Sequence, residues 1–274
     1  MTTSTTWTAD TRGIGRVVDG PGISLHTETY GTGRPLVLLH GGLGSGEMFG
    51  PIIPALADGF QVVTVDLQGH GRTADVDRPL DLGLLAGDIA AVIDQLGLDR
   101  PAVLGYSLGG GVALQLAVLH PGSVGRLVLV STYARSDAVH PEIRAQQGQL
   151  SAAAAEFLKG TPMYELYQAV APRPEDFPRL LDKLGAWQAQ EFDHTDDVRA
   201  LQVPTLLVAA DADMAPPAHF VELFALLDGG LRDGGWDGGG RPGGGHALAV
   251  LPGLTHYDIF RSPLLAAVTR SFLG

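Results

Sequence analysis

Val103-Leu104-Gly105-Tyr106-Ser107-Leu108-Gly109-Gly110-Gly111-Val112-Ala113-Leu114 reads as an apolar strand, a serine with glycine two residues away on each side, and a helix. A serine at such a strand-to-helix turn takes up unfavourable dihedrals, and neighbouring backbone can pack close because the flanking positions carry no side chain. Its hydroxyl then projects into open space. The helix behind it aims its N-terminal N–H groups and positive dipole end at whatever the hydroxyl meets.

The chain repeats the strand-then-helix unit on both sides of this turn. The apolar run 36–39 ends in His40-Gly41-Gly42-Leu43-Gly44-Ser45-Gly46, and the run 61–65 ends in Asp66-Leu67-Gln68-Gly69-His70-Gly71-Arg72-Thr73. The run 126–130 stops at Ser131, 204–210 stops at Asp211-Ala212-Asp213, and 247–251 delivers Pro252-Gly253-Leu254-Thr255-His256. Continuous apolar runs of this kind are buried on both faces of a parallel sheet. Helices are expected over 48–57, 84–96, 216–227 and 263–272, the second with Leu85, Ile89, Val92, Ile93 and Leu96 on one face. Two further strands, 15–18 and 23–30, form an edge hairpin around Asp19-Gly20-Pro21-Gly22. The fold class is therefore α/β, with a mostly parallel eight-stranded sheet, right-handed crossovers and flanking helices.

The alternation stops after Ser131. Residues 133–201 contain no strand-like run and break into helix-forming pieces at Pro141, Pro162, Pro172, Pro174 and Pro178. The division expected is an N-terminal tail over 1–14, a core over 15–132 and 202–274, and a helical cap over 133–201. Aromatic and flexible apolar side chains in the cap pack its helices together, and Tyr133, Met163 and Trp187 are its candidates for contact with substrate.

Composition narrows the function. A net charge of −12 with only 18 Lys and Arg, scattered, argues against a nucleic-acid surface. The absence of cysteine excludes disulfides, thiolate metal sites and a thiol nucleophile. The Thr-rich start has neither a basic region nor an apolar run, and no apolar run approaches the ~18 residues of a membrane span, so a soluble cytoplasmic protein is expected. The glycines after the first parallel strand have neither P-loop nor dinucleotide-fold spacing, which argues against a nucleotide cofactor. No cofactor is expected. Asp211, Asp213 and His219 lie close in sequence, but Pro216-Pro217 and the want of a fourth ligand argue against a metal.

In an open parallel sheet the ligand site lies beyond the carboxyl ends of the strands. A serine hydroxyl there needs a base within hydrogen-bond reach, and the base needs an orienting carboxylate. Ser107, Asp213 and His256 occur at strand ends in that chain order. His246 and the glycine-rich stretch 228–245, ten glycines in eighteen positions, precede the last strand and so fall at the opposite end of the sheet, remote from the chemistry, where a flexible surface loop is expected, with a contact surface for another subunit as the alternative. His120 falls at that end too. His194 and His219 are expected on the surface.

With these strand-end motifs in this order, the chain resembles the α/β-hydrolase superfamily, specifically its cap-bearing esterase-like members. The likeness runs from about Gly15 onward, the glycine-rich insert apart. It implies acyl transfer through a covalent acyl-enzyme, with Ser107 as nucleophile, His256 as general base and acid, and Asp213 completing the triad. Ala210 stands where the family usually has glycine ahead of Asp-x-Asp, and Asp211 is expected to close a turn on its own backbone. Ser131-Thr132 occupies the place where some members carry the acid, which favours Asp213. The oxyanion hole implied is the backbone N–H of Leu108 with that of Gly42, and His40 anchors the loop that carries Gly42. The substrate implied is a small-molecule carboxylic ester. Ser107 disfavours epoxide hydrolase and haloalkane dehalogenase chemistry, which need Asp there. Lactonase, thioesterase, carbon–carbon bond hydrolase and perhydrolase chemistry share the triad, and a non-catalytic binding protein of the same fold is the alternative from another class.

Overall fold

The structure, a computed structural model, describes residues 13–236, 238 and 244–274. Nearly all of the expected N-terminal tail and part of the glycine-rich stretch lie outside the described residues.

Eight strands form one sheet: β1 (Ile14–Gly20), β2 (Ile23–Tyr30), β3 (Arg34–Leu39), β4 (Phe60–Val65), β5 (Ala102–Tyr106), β6 (Arg126–Val130), β7 (Thr205–Ala212) and β8 (Ala247–Thr255). Their spatial order is β1-β2-β4-β3-β5-β6-β7-β8. β1 and β2 pair antiparallel, β2 meets β4 antiparallel, and every later pair is parallel. β3 lies between β4 and β5, so the chain turns from one side of β3 to the other. That switch opens a crevice at the carboxyl ends of β3 and β5.

Period-two alternation sends each strand's apolar residues to both faces. Val37, Leu39, Val63, Val103, Leu127 and Leu207 face one core, and Leu36, Leu38, Val62, Leu104, Val128 and Leu206 face the other. Helices α1 (Ile53–Ala57) and α10 (Pro263–Leu273) cover the second face, while α2 (Leu82–Gln95) and α3 (Leu108–Leu119) cover the first. Asp81 caps α2 by accepting from the Leu84 amide at 2.9 Å. The single helix expected over 48–57 is instead a 3₁₀ turn (Gly46–Phe49) followed by α1. Pro51 supplies no N–H to a continuous ladder, and the helix restarts with Pro54 in its first turn, where proline is tolerated.

Five short helices fill the segment between β6 and β7: α4 (Pro141–Gln147), α5 (Ala155–Leu158), α6 (Pro162–Val170), α7 (Phe177–Gln188) and α8 (Thr195–Ala200). An isolated antiparallel bridge, Arg135 to Asp193, ties the start of this segment to its end. The apolar side of α7, Phe177, Leu180, Leu181 and Leu184, is buried in the same core as α2 and α3. After β7, α9 (Pro217–Leu226) leads toward β8. No helix among the described residues is long and apolar enough to cross a membrane.

Between β5 and α3, Ser107 has φ 54° and ψ −117°, a strained backbone for a non-glycine residue that costs about 1–3 kcal/mol. The surroundings hold it there. The Ser107 amide donates to Val130 O at 3.0 Å, and its carbonyl accepts from Gly110 and Gly111 at 2.9 and 3.1 Å. The glycines are required by proximity: a Cβ on Gly105 would lie 2.2 Å from Gly109 O, and one on Gly109 would lie 2.3 Å from Leu39 O. Both clashes are with backbone, which cannot swing aside. Gly109→Ala is therefore expected to destabilise the fold by about 3 kcal/mol, at the upper end of overpacking costs. A urea-unfolding midpoint equal to wild type would contradict this close approach.

Candidate active site

The strand ends bring Ser107, His256 and Asp213 together. Ser107 Oγ lies 3.1 Å from His256 Nε2, and His256 Nδ1 lies 2.7 Å from Asp213 Oδ1. Asp213 and His256 are buried, and Ser107 is half-buried at the start of α3. Burial alone would raise the Asp213 carboxyl, but its contacts with His256, Ser131 and the Ala210 amide hold it below the ordinary carboxylate range. An ionised Asp213 accepts, so Nδ1 of His256 carries the proton and Nε2 is free to accept from the serine. Among the described residues no group of three or more His, Asp or Glu side chains converges as a metal site would.

Asp213 is fastened more firmly than the sequence indicates. Its Oδ2 accepts from Ala210 N at 3.0 Å and from Ser131 Oγ at 2.5 Å, and its Oδ1 accepts from Met214 N at 2.8 Å. Ser131 is itself held at φ 51° at the end of β6, its amide donating to Val208 O at 2.8 Å. Its position at a strand end was the only sequence signal of this contact. Tyr106 has a role the sequence does not reveal: its hydroxyl donates to His256 O at 2.6 Å, and its ring lies against both His256 and Phe260. The apolar character of β5 concealed that one of its side chains reaches the loop after β8.

Gly42 follows β3 and is exposed, and neither its N–H nor that of Leu108 donates to any described residue. The loop is pinned from beneath. His40, fully buried, donates from Nδ1 to Gly41 O at 2.7 Å and accepts at Nε2 from the Leu67 amide at 3.0 Å, while its carbonyl accepts from Gly109 N. Gly41 packs against Tyr106 so closely that a Cβ there would lie 2.6 Å from the ring. Above Gly42, the nearest atom to a notional Cβ is Leu184 Cδ2 of α7, at 3.5 Å.

Tyr133 and Trp187 line one small cavity together with Val139, Gln147 and Phe192. Met163 does not line it and is 41% exposed on α6. Asp211 reaches beyond its own turn: Oδ2 accepts from Gly253 N at 2.9 Å and Oδ1 from Leu254 N at 3.1 Å, joining the end of β7 to the segment that presents His256. His246 accepts from Thr205 N at 3.2 Å, at the start of β7 and away from Ser107. The expected surface position of His219 is corrected. It is buried under the start of the helical segment, where Nε2 accepts from the Ala134 amide at 3.2 Å, because α9 turns that side chain inward rather than to solvent. His194 is half-buried beside Asp197, at 3.0 Å.

A family model for the alpha/beta hydrolase fold matches residues 34–222. The chain belongs to the α/β-hydrolase family, and it is a hydrolase of that fold. It is 32% identical over 217 residues to a putative carbamate hydrolase RutD of Rhizobium rhizogenes, covering 70% of this chain and 81% of the relative. It is 28% identical over 272 residues to a non-heme haloperoxidase of Rhodococcus erythropolis, covering 88% and 92%. Among solved structures, the carboxylesterase CesB of Bacillus subtilis superposes with a TM-score of 0.73 at 20% identity, covering 95% of this chain and 91% of that one, a likeness of fold.

One histidine of this α/β hydrolase makes a further test possible. His70 is fully buried beside His40, with Nδ1 on Gln68 O at 2.8 Å and Nε2 unpartnered, and burial pushes it down to about 3. The native side chain is then neutral, whereas the unfolded chain binds a proton as pH falls below about 6.5. Its contribution to stability is present above that value and is lost as pH falls toward 3. Urea unfolding at pH 8 and pH 5 should show wild type losing roughly 2 kcal/mol more than His70→Asn. Equal losses in the two proteins would contradict a neutral buried His70.

Proposed function

We propose that this hydrolase cleaves carboxylic esters through an acyl-enzyme on Ser107. The observation that carries the reading is the continuous hydrogen-bond line from Ser107 Oγ through both nitrogens of His256 to Asp213. A serine hydroxyl is a weak nucleophile at neutral pH, and this line supplies the base that activates it. His256 Nε2 takes the hydroxyl proton as Oγ attacks the ester carbonyl. The carbonyl oxygen becomes an oxyanion and accepts from the Gly42 and Leu108 N–H groups, at the positive end of α3. Collapse expels the alcohol, which takes its proton from His256. Water then gives a proton to His256 and attacks the acyl-enzyme, and the acid leaves as Ser107 regains its hydrogen. Asp213 stays ionised throughout and stabilises the imidazolium.

In this reading residues 133–201 are the cap over a core of 15–132 and 202–274. The place of Leu184 above Gly42 supports a substrate pocket between α7 and the strand ends, whereas the small cavity lined by Tyr133 and Trp187 has none of Ser107, Asp213, His256 or Gly42 in its lining. The substrate is a small molecule. A carbamate is the second reading, favoured by the 32% identical relative named as a putative carbamate hydrolase, and it uses the same attack on a carbonyl.

A fluorophosphonate probe and a series of p-nitrophenyl esters test the reading, with p-nitrophenyl carbamates as the comparison. Wild type should label and turn over, and Ser107→Ala should do neither. Asp213→Asn should lose 10³-fold or more in kcat, as when the orienting acid of such a line is removed. Asp211→Asn should lose less than tenfold. Labelling that survives Ser107→Ala would overturn the nucleophile, and a larger loss in Asp211→Asn than in Asp213→Asn would overturn the choice of acid.

A further inference from the structure

The loop after β4 and the helix α7 are joined by a buried charge cluster that the hydrolytic line does not use. Lys183 Nζ donates to Asp75 Oδ1 at 2.8 Å, to Val76 O at 2.6 Å and to Arg78 O at 2.6 Å, which satisfies all three of its hydrogens. Both side chains are withdrawn from solvent, Lys183 at 15% and Asp75 at 3% exposure. The acceptor side is equally fixed. Gln68 donates to Asp75 Oδ1 at 2.9 Å and accepts from Arg78 Nε at 2.7 Å, and Arg78 pairs with Asp88 on α2. Arg179 Nε stands 2.8 Å from Asp75 Oδ2 as a charge contact, and Arg173 donates to Asp75 O at 2.6 Å.

The neighbours of Lys183 on α7 give this cluster its meaning. Leu184, next in sequence, is the side chain nearest Gly42 on the helix side, and Leu180, one turn earlier, lies 3.5 Å from a notional Cβ on Gly69. Trp187, one turn later, lines the cavity with Tyr133. The three hydrogen bonds of Lys183 tie α7 to the loop after β4 at the turn that carries Leu184.

We propose that Lys183 is a positioning residue that sets how much room the acyl group has beside Gly42, by holding Leu184 in place through Asp75 and the carbonyls of Val76 and Arg78. This rests on the reading of Gly42 as an oxyanion donor. Releasing the anchor lets α7 shift outward and opens the site to longer acyl chains.

The test uses Lys183→Met, which keeps the apolar stem and removes the charge, and the double variant Asp75→Asn/Lys183→Met. The double variant leaves no stranded buried carboxylate and keeps the test available if the single variant does not fold. Two readouts are taken. The ratio of kcat/KM for p-nitrophenyl octanoate over acetate should rise at least tenfold relative to wild type. Backbone hydrogen exchange across 177–188, followed by mass spectrometry, should speed up at least tenfold while α2 and α3 keep wild-type protection. An unchanged chain-length ratio in a folded variant would overturn the proposal, as would unchanged exchange in α7. The exchange readout needs no turnover, so it remains decisive on the anchor even if wild type neither labels with the fluorophosphonate nor hydrolyses esters, the outcome that would defeat the hydrolytic reading instead.

Discussion

The structure depends on one steric constraint: the backbone of the first turn of α3 lies against the ends of β5 and β3 with no space for a side chain between them. Gly105 meets Gly109 O, Gly109 meets Leu39 O and His40 O, and a Cβ on Gly110 would fall on the Thr132 hydroxyl. Ser107 is the residue left to make the turn, and its positive φ follows from that contact. The same contact explains why four strand ends assemble at one point. Gly109 N donates to His40 O, Ser107 N donates to Val130 O, and Ser131 then reaches Asp213, so β3, β5, β6 and β7 are joined in series around the serine. Strain at Ser107 is tolerated because every neighbour is held by something other than the serine itself.

Electrostatics extend the order outward from that point. Three of the buried polar groups have partners that fix direction as well as energy. His40 is locked in one tautomer by an amide on one side and a carbonyl on the other, Asp213 accepts from four donors, and Lys183 satisfies three acceptors at once. A low local dielectric makes each of these groups costly to leave unpaired, so each network resists small displacements. The helical segment between β6 and β7 is consequently held at α7 by charge and by the apolar row Phe177, Leu180, Leu181 and Leu184, while the Arg135–Asp193 bridge ties its start to its end.

Much of this was legible in the sequence because the informative features are local. Apolar runs ending in glycine, serine, aspartate or histidine mark six of the eight strands, and the order of those endings carries the resemblance to the family. The bounds of β2 were readable to the residue, and those of α2 and α10 to within two. What stayed hidden depends on contacts between residues far apart in the chain. Ser131 and Tyr106 serve Asp213 and His256 from 82 and 150 residues away, and apart from the place of Ser131 at a strand end nothing in their own neighbourhoods announces it. Asp211 looked like a turn residue because its partners, Gly253 and Leu254, arrive only when β8 pairs with β7. His219 looked exposed because the rotation of α9 is set by packing against the start of the helical segment. The broken helix at 46–57 could have been read from Pro51 and Pro54, whose effect on the ladder is local.

Ser107 is proposed to carry the acyl group. Rapid mixing of the protein with p-nitrophenyl acetate, quenched in acid and followed by peptide mass analysis, tests it most directly. The expected result is a burst of p-nitrophenolate close to one per chain and an acetyl group on the peptide that contains Ser107. Turnover with no acetylated peptide, or acetyl on a different residue, would contradict it.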